Sequence, residues 1–191
     1  NKEKGPMHGL RTVPNLAVTK MDWKAPPPGY IKINVVASSV ESINATSVDV
    51  VARDSSGYVI ISSWDFIGCC KSVEEAELRA CIAGLYIGAI IVFSTLHNPI
   101  ILETDCAFVA ASLANDLFDR SNLLDLKNKA RSIAKLINSL QINKISRSAN
   151  GVAHLIAKFC FDNRSDGILI NNVPPCMMNS IMNDCNSLLV N

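Results

Sequence analysis

The strongest constraint on the fold is a series of three strand-like segments followed by one long helix-like segment. Residues 30–37, 47–54 and 58–64 are rich in β-branched side chains, and residues 30–37 alternate between apolar and polar positions. Residues 55–57 read Ser-Ser-Gly and supply the composition of a tight turn between the last two segments. This order predicts three consecutive antiparallel strands.

A long helix is predicted directly after these strands. Ser72 and Glu75 have the spacing of a capping box, and a helix-compatible stretch continues from there to about Phe93. Small residues recur along it at helical spacing and predict a face that can approach a sheet closely: Ala76, Ala80, Ala83 and Gly84, followed by Ile87.

The rest of the pattern alternates between strands and helices. It predicts a strand at residues 99–105, helices at 108–117 and 123–140, a strand at 142–146 and a closing helix at 151–161. We therefore expect an α/β domain whose mixed sheet has five strands, three antiparallel and then two further strands, flanked by helices.

Three regions differ in composition. Residues 1–28 mix charges, glycine and prolines and are interpreted as a linker or N-terminal arm. Residues 29–162 form the predicted domain. Residues 163–191 are rich in Asn, Ser and Met without a clear period, so we expect a loosely ordered C-terminal tail.

Composition narrows the class of protein. Of the 191 residues, 49% are hydrophobic and 18% are charged, which excludes a disordered polar chain. The net charge of +1 provides no global field for a polyanion, so nucleic-acid binding requires a local basic patch. Residues 81–96 are apolar but too short for a bilayer crossing, and we expect a buried helix and no membrane contact.

Cysteine usage indicates the compartment. The seven cysteines are scattered and include no C-x-x-C pair. Most lie in apolar segments, where a reduced thiol behaves as a small hydrophobe. We therefore expect an intracellular monomer without disulfides, in the cytoplasm or the nucleus.

Three carboxylates are candidates for chemistry. Glu103 and Asp105 are two residues apart, so alternation places both on one face of their strand, with Asp105 at its carboxyl end. On this evidence alone, a pair of solvated carboxylates flanking a strand end is the simpler explanation. Glu77 lies on the helix face that is predicted to meet the sheet, where an unpaired carboxylate is costly unless it binds a cation.

The ordered set of motifs resembles the ribonuclease H family, in particular the plant reverse-transcriptase-like branch with type-1 ribonuclease H domains. The resemblance spans about residues 23–160. It rests on Trp23 with Pro26-Pro-Pro-Gly29, Lys32-Ile-Asn34, Arg53-Asp54 with Gly57, Glu75-Ala-Glu77, Glu103-Thr-Asp105, and Arg147-Ser-Ala-Asn150 leading into Ala153-His154.

The resemblance implies hydrolysis of the RNA strand of an RNA–DNA hybrid by two Mg²⁺ ions held about 4 Å apart by clustered carboxylates. Two of the family's acidic positions correspond to Glu77 and Asp105. His154 stands where the family has a late aspartate, and it could assist metal or product exchange. The first-strand aspartate, which bridges both ions in the family, is replaced here by Val36.

Asp49 is the one nearby carboxylate that could replace the missing ligand. If the first two strands form a hairpin centred between residues 42 and 43, Val36 and Asp49 lie opposite each other on one face. Three hypotheses follow: a nucleic-acid-binding domain with an impaired site, an active nuclease that uses Asp49, and a domain repurposed for protein interaction.

Two groups of residues are candidates for contact with the hybrid or another nucleic acid. Lys127, Arg131 and Lys135 recur every four residues and could form a basic stripe, although an ordinary solvated helix face has the same pattern. The resemblance adds three substrate-side residues: Asn34, Arg147 and Asn150.

Overall fold

A computed structural model describes residues 23–94, 98–114 and 122–186 of the chain. Its strands are β1 (Ile31–Val40), β2 (Ala45–Arg53), β3 (Val59–Gly68), β4 (Ile100–Thr104), β5 (Leu140–Lys144) and β6 (Gly167–Ile170). Its helices are α1 (Val73–Ser94), α2 (Ala107–Ala114), α3 (Leu124–Ala134), α4 (Gly151–Asn163) and α5 (Met178–Asn186). Short 3₁₀ turns cover Glu41–Ile43, Arg147–Asn150 and Pro175–Met177.

The strands form one mixed sheet in the order β5-β4-β1-β2-β3-β6. β1, β2, β3 and β6 are joined by antiparallel pairings, whereas β4 pairs in parallel with both β1 and β5. The structure confirms the predicted α/β class and the mixed sheet flanked by helices.

The predicted number of five strands is wrong by one. The sixth strand, β6, comes from the segment for which we expected a loosely ordered tail, and α5 follows it. β6 pairs with β3 and places Gly167 opposite Trp64, whose indole lies so close that a Cβ at position 167 would collide with it. A four-residue strand that pairs with a distant strand has too little periodicity of its own to be detected.

Each face of the sheet carries its own hydrophobic core. α1 and α3 cover one face, where Ile33, Val35 and Leu102 are fully buried. α4 covers the other face together with the C-terminal segment, which contributes Met177 and Ile181. The C-terminal segment is therefore part of the folded unit.

α1 approaches the sheet closely because it carries small residues. A Cβ on Gly84 would collide with Val35 and lie 2.8 Å from a methyl of Leu102. α1 is also long and apolar enough to cross a membrane by length and composition alone, but most of the helix is buried inside the domain, as in the core helix of a soluble fold.

The predicted helix at residues 123–140 ends early. α3 ends at Ala134, and the backbone N–H groups of Leu136 and Ile137 donate to carbonyls three residues back, which tightens the chain into a turn. The Ser139 carbonyl then accepts from the N–H of Ile100 and brings the chain to β4. Apolar residues continue through this turn, so periodicity alone did not reveal it. The end of the predicted helix at 108–117 lies outside the described residues.

Part of the predicted N-terminal arm, residues 23–28, belongs to the domain. Trp23 is buried, and the guanidinium of Arg53 stacks over its ring at 3.5 Å from the centroid. Arg53 also forms an ion pair with Asp184 of α5 at 2.7 Å. The seven cysteines are free thiols, of which Cys81 and Cys160 are buried.

Candidate functional site

The candidate site lies where β1 and β4 end beside the N-terminal turns of α1 and α4. Glu77 is in the second turn of α1 and accepts a hydrogen bond from the backbone N–H of Ala37 in β1. Asp105 directly follows β4, and its Oδ2 lies 3.0 Å from Nε2 of His154 on α4. The fold therefore gathers Glu77, Asp105 and His154 from three separate elements, as the resemblance implied.

The two carboxylates have opposite protonation tendencies. Burial, reinforced by the charge of Asp105, raises the pKa of Glu77 to about 7. Burial also opposes ionisation of Asp105, but the hydrogen bond and charge of His154 and the charge of Arg147 hold the pKa of this carboxyl below its usual value. Near neutral pH, Asp105 is ionised while Glu77 is divided between its neutral and charged forms.

Position 36 offers nothing to a cation. Val36 is 0% exposed and belongs to the apolar cluster that includes Val152, Ala153 and Ile156 of α4. The position at which the resemblance implies a carboxylate is therefore occupied by a fully buried apolar side chain.

The remaining residues do not fit a pair of magnesium ions. Oε2 of Glu77 is buried without a hydrogen-bond partner in the described part of the chain, which is compatible with a nearby cation. However, no three acidic, histidine or cysteine side chains within residues 23–94, 98–114 and 122–186 are grouped so that they could hold a metal ion. Two-metal chemistry requires several carboxylates on both ions, and Glu77 with Asp105 cannot supply them.

Asp49 is the cross-strand partner of Val36, which confirms the predicted hairpin register. Its Oδ2 accepts a 2.7 Å hydrogen bond from the Ser47 hydroxyl, and its Oδ1 has no partner among the described residues. Burial raises the pKa of Asp49 to about 8, and the charge of Asp65 adds to this effect. The carboxyl is thus neutral at physiological pH and coupled electrostatically to Asp65, whereas Glu77 is coupled to Asp105.

Two of the residues proposed to contact nucleic acid are buried structural groups. Nδ2 of Asn34 donates to Glu103, and Oδ1 of Asn34 accepts from the indole of Trp23. Asn150 donates its Nδ2 hydrogen bond to the Val35 carbonyl and so fixes the start of α4 on β1. Both are 1% exposed, so neither presents its amide to a ligand in this conformation.

The structure does not bring the three cations of α3 together as an exposed stripe. Lys127 is 6% exposed, with its ammonium over the Phe108 ring at 4.8 Å from the centroid. Arg131 is half-buried and donates to the Ser112 carbonyl. Lys135 is exposed. Long basic side chains packed along apolar surface explain the pattern that resembled a phosphate-binding stripe.

Exposed cations at this edge of the sheet come from the end of β5 and from the segment before α4. Arg147 is exposed, and its charge acts on both Glu77 and Asp105. Lys144, also exposed, is the register partner of Thr104, which pairs with Val35, so it lies at the same edge but on the α1 side of the sheet. Sequence reasoning missed Lys144, although the parallel pairing of β4 and β5 would have placed it at this edge of the sheet.

Solved structures with the same architecture are ribonucleases H. Ribonuclease H1 from Halobacterium salinarum superposes with a TM-score of 0.62 at 21% identity, covering 70% of this chain and 98% of that one. The N-terminal ribonuclease H domain of a Mycobacterium tuberculosis protein gives 0.60 at 19% identity, covering 70% and 94%. LC11 ribonuclease H1 in complex with an RNA/DNA hybrid gives 0.59 at 18% identity, covering 70% and 98%. These likenesses define a ribonuclease H-like fold.

The family follows from the sequence itself. Residues 34–160 match the family model described as reverse transcriptase-like. The chain therefore belongs to the reverse transcriptase-like family. No curated protein sequence matches the chain.

Proposed function

We propose that this domain binds RNA–DNA hybrid or a related nucleic acid at the edge of the sheet that carries Asp105, without metal-dependent cleavage. The structural neighbour LC11 ribonuclease H1 binds an RNA/DNA hybrid, which supports the ligand class. Lys144 and Arg147 provide exposed positive charge beside this edge. Phosphate contacts by such side chains give affinity without sequence preference.

The main observation that supports a loss of catalysis is the packing of Val36. A valine cannot ligate a metal, and this one is 0% exposed within the α4-side core. Asp49 does not compensate, because its carboxyl is fully buried, accepts a hydrogen bond from the Ser47 hydroxyl and is not part of a metal-binding group of acids among the described residues. When bound in relatives of this fold, Mg²⁺ would activate water and stabilise the leaving oxygen; here the donor set needed to hold it is incomplete.

An active nuclease that uses Asp49 as a substitute ligand is the competing function. It requires an ionised Asp49 that joins Glu77 and Asp105. The burial of Asp49 and its hydrogen bond from Ser47 favour a structural acid instead.

The deciding experiment combines cleavage and binding on the same preparation. A fluorescent RNA–DNA hybrid is incubated with the full chain and Mg²⁺, and products are resolved on a denaturing gel. Binding is followed by anisotropy in Ca²⁺ or EDTA at several salt concentrations. We expect no product, together with binding that weakens steeply as salt increases.

Two outcomes would contradict the proposal. Magnesium-dependent cleavage that disappears in Glu77→Gln would show a working site. Binding that is absent at low salt would remove the nucleic-acid function itself.

A further inference from the structure

A cleft of about 530 Å³ lies between α1 and the β3–β6 edge of the sheet, on the face away from α4. Tyr86 and Ile87 of α1 line one wall, and Gly167 and Ile168 line the other. None of these residues contributes to the candidate site. The cleft therefore needs an explanation of its own.

The helical wall continues as an exposed apolar stripe. Tyr86, Ile90 and Phe93 are 45%, 58% and 73% exposed, and their spacing of four and then three residues places them on one face of α1. A helix that is apolar on every side is typical of one that is covered on every side. Lys129 of α3 lies over the Tyr86 ring, whereas Ile90 and Phe93 remain largely exposed in the described part of the chain.

The opposite wall shows the same excess of apolar surface. Within β6, Leu169 packs into the α4-side core, whereas Ile168 and Ile170 are 60% and 71% exposed. Ile170 pairs with Ile61, a member of the α1-side core, so both isoleucines project from the face that carries the cleft. A run of apolar residues on both faces is typical of a strand covered on both sides.

Charge identifies the kind of occupant. Asp65 and Asp166 line the cleft, and the described lining residues include no lysine or arginine. Lys129, whose ammonium lies over the Tyr86 ring at 5.5 Å from the centroid, lines an adjoining cavity together with Arg79, and that cavity shares Asp65 and Tyr86 with the cleft. Two neighbouring acids beside an apolar wall favour a cationic group set among apolar side chains and disfavour nucleic acid.

We propose that this surface, the α1–β6 groove formed by Tyr86, Ile90, Phe93, Ile168, Ile170, Asp65 and Asp166, binds an amphipathic helix of a partner protein. The partner's apolar residues pack on the α1 stripe and on Ile168, and a lysine or arginine faces the two aspartates. The stripe extends over about 10 Å, and an amphipathic helix presents apolar side chains at the spacing that packing along another helix requires. This binding function is additional to nucleic-acid binding.

The groove and the candidate site can be occupied together. Glu77 and Tyr86 are nine residues apart on α1, which corresponds to about 14 Å along the helix. The partner therefore need not compete with nucleic acid.

The experiment uses displayed peptides of about 18 residues on a helix-forming framework, selected against the full chain and then synthesised with a fluorescent label. We expect the selected peptides to share apolar residues at helical spacing and at least one Lys or Arg. The double variant Ile90→Asp/Ile168→Asp should weaken anisotropy-measured binding at least about tenfold. Met182→Asp, a matched change at an exposed residue of α5, should leave binding unchanged.

The charge contribution is tested separately. Asp65→Asn should weaken binding of the basic peptide several-fold, but it should not affect the same peptide with norleucine in place of its basic residue. Circular dichroism shows that each variant is folded.

Four results would overturn the proposal. The first is failure to select any peptide whose binding depends on Ile90 and Ile168. The second is equal binding of the basic and the norleucine peptide, both to the wild type and to Asp65→Asn. The third is a dimer in sedimentation velocity that Ile90→Asp dissociates, which would make a second copy the occupant. The fourth is peptide binding that appears only after removal of residues 1–22, which would assign the groove to the chain's own N-terminal segment.

Discussion

Val36 of β1 and Asp49 of β2 are direct cross-strand partners, and both side chains are completely buried. An acid introduced at position 36 would therefore face a second acid in a dry part of the sheet. Restoration of the family's carboxylate requires a change in its surroundings as well as in the residue itself.

Val36→Asp is expected to lower the free energy of unfolding by about 2–4 kcal/mol at pH 7, because it buries a polar group without a designed partner. Val36→Thr has nearly the same shape and should cost less. Adding Asp49→Asn to Val36→Asp should recover part of the loss by removing the opposing carboxyl. Urea unfolding measures all three, and a Val36→Asp variant as stable as the wild type would show that this position is more hydrated than the packing indicates.

Stability should fall as the pH rises from about 4 to about 8. The pKa of Asp49 is raised to about 8 by burial, so the folded state retains a proton that the unfolded chain releases above its ordinary pKa of 3.8. The stabilisation is complete below that ordinary pKa and is lost as the pH rises through the folded value, at up to about 1.4 kcal/mol per pH unit.

Asp49→Asn should flatten this dependence, because the amide cannot ionise. Glu77→Gln provides the comparison, since burial also raises the pKa of Glu77, to about 7. The measurement is the urea midpoint at each pH. An Asp49→Asn variant with the wild-type slope would assign the dependence to other groups.

Gly84→Ala should destabilise the protein by about 1–3 kcal/mol even though alanine favours helices, because the added methyl collides with Val35 and Leu102 and forces α1 from the sheet. Gly151→Ala is the matched control: it also lies in a helix, nothing stands within 4 Å of an added Cβ, and its stability should be unchanged or higher. Thermal unfolding compares the two. Equal effects would mean that α1 and β1 are packed less closely than described.

Arg147→Glu should weaken hybrid binding at low salt at least tenfold and reduce the dependence of affinity on salt, since one phosphate contact is replaced by repulsion. Arg164→Glu makes the same change of charge at the other end of α4 and should have a smaller effect. Anisotropy titrations at several salt concentrations test the pair. Similar losses in both variants would indicate a general response to net charge and no defined binding edge.

Much of the fold follows from local pattern. Three such patterns each extend over only a few residues: the alternation in β1, the turn before β3 and the small residues of α1. They could therefore be recognised in the sequence. The structure has the hairpin register that the sequence analysis considered as a condition, with Val36 opposite Asp49. The sixth strand was not predictable in this way, because β6 forms by pairing with β3, about a hundred positions earlier in the chain.

Site residues could be predicted from the sequence where the residue type alone determines their chemistry. The prediction failed where burial decides whether a side chain can reach a ligand. The grouping of Glu77, Asp105 and His154 was indicated by the family resemblance. Asn34 and Lys127 have the right residue types for ligand contact, but tertiary packing turns them inward to other protein groups. A sequence lists donors and cations without showing which of them reach solvent.

The guanidinium of Arg53 contacts Trp23 near one limit of the described chain and Asp184 near the other. Arg53 lies within residues 34–160, the interval that matches the family, but Trp23 and Asp184 lie outside it. A fragment trimmed to that interval would keep a buried cation while losing its carboxylate and its aromatic neighbour. We therefore expect the stable folding unit to be longer than the segment that matches the family, and expression boundaries should extend from before Trp23 to beyond α5.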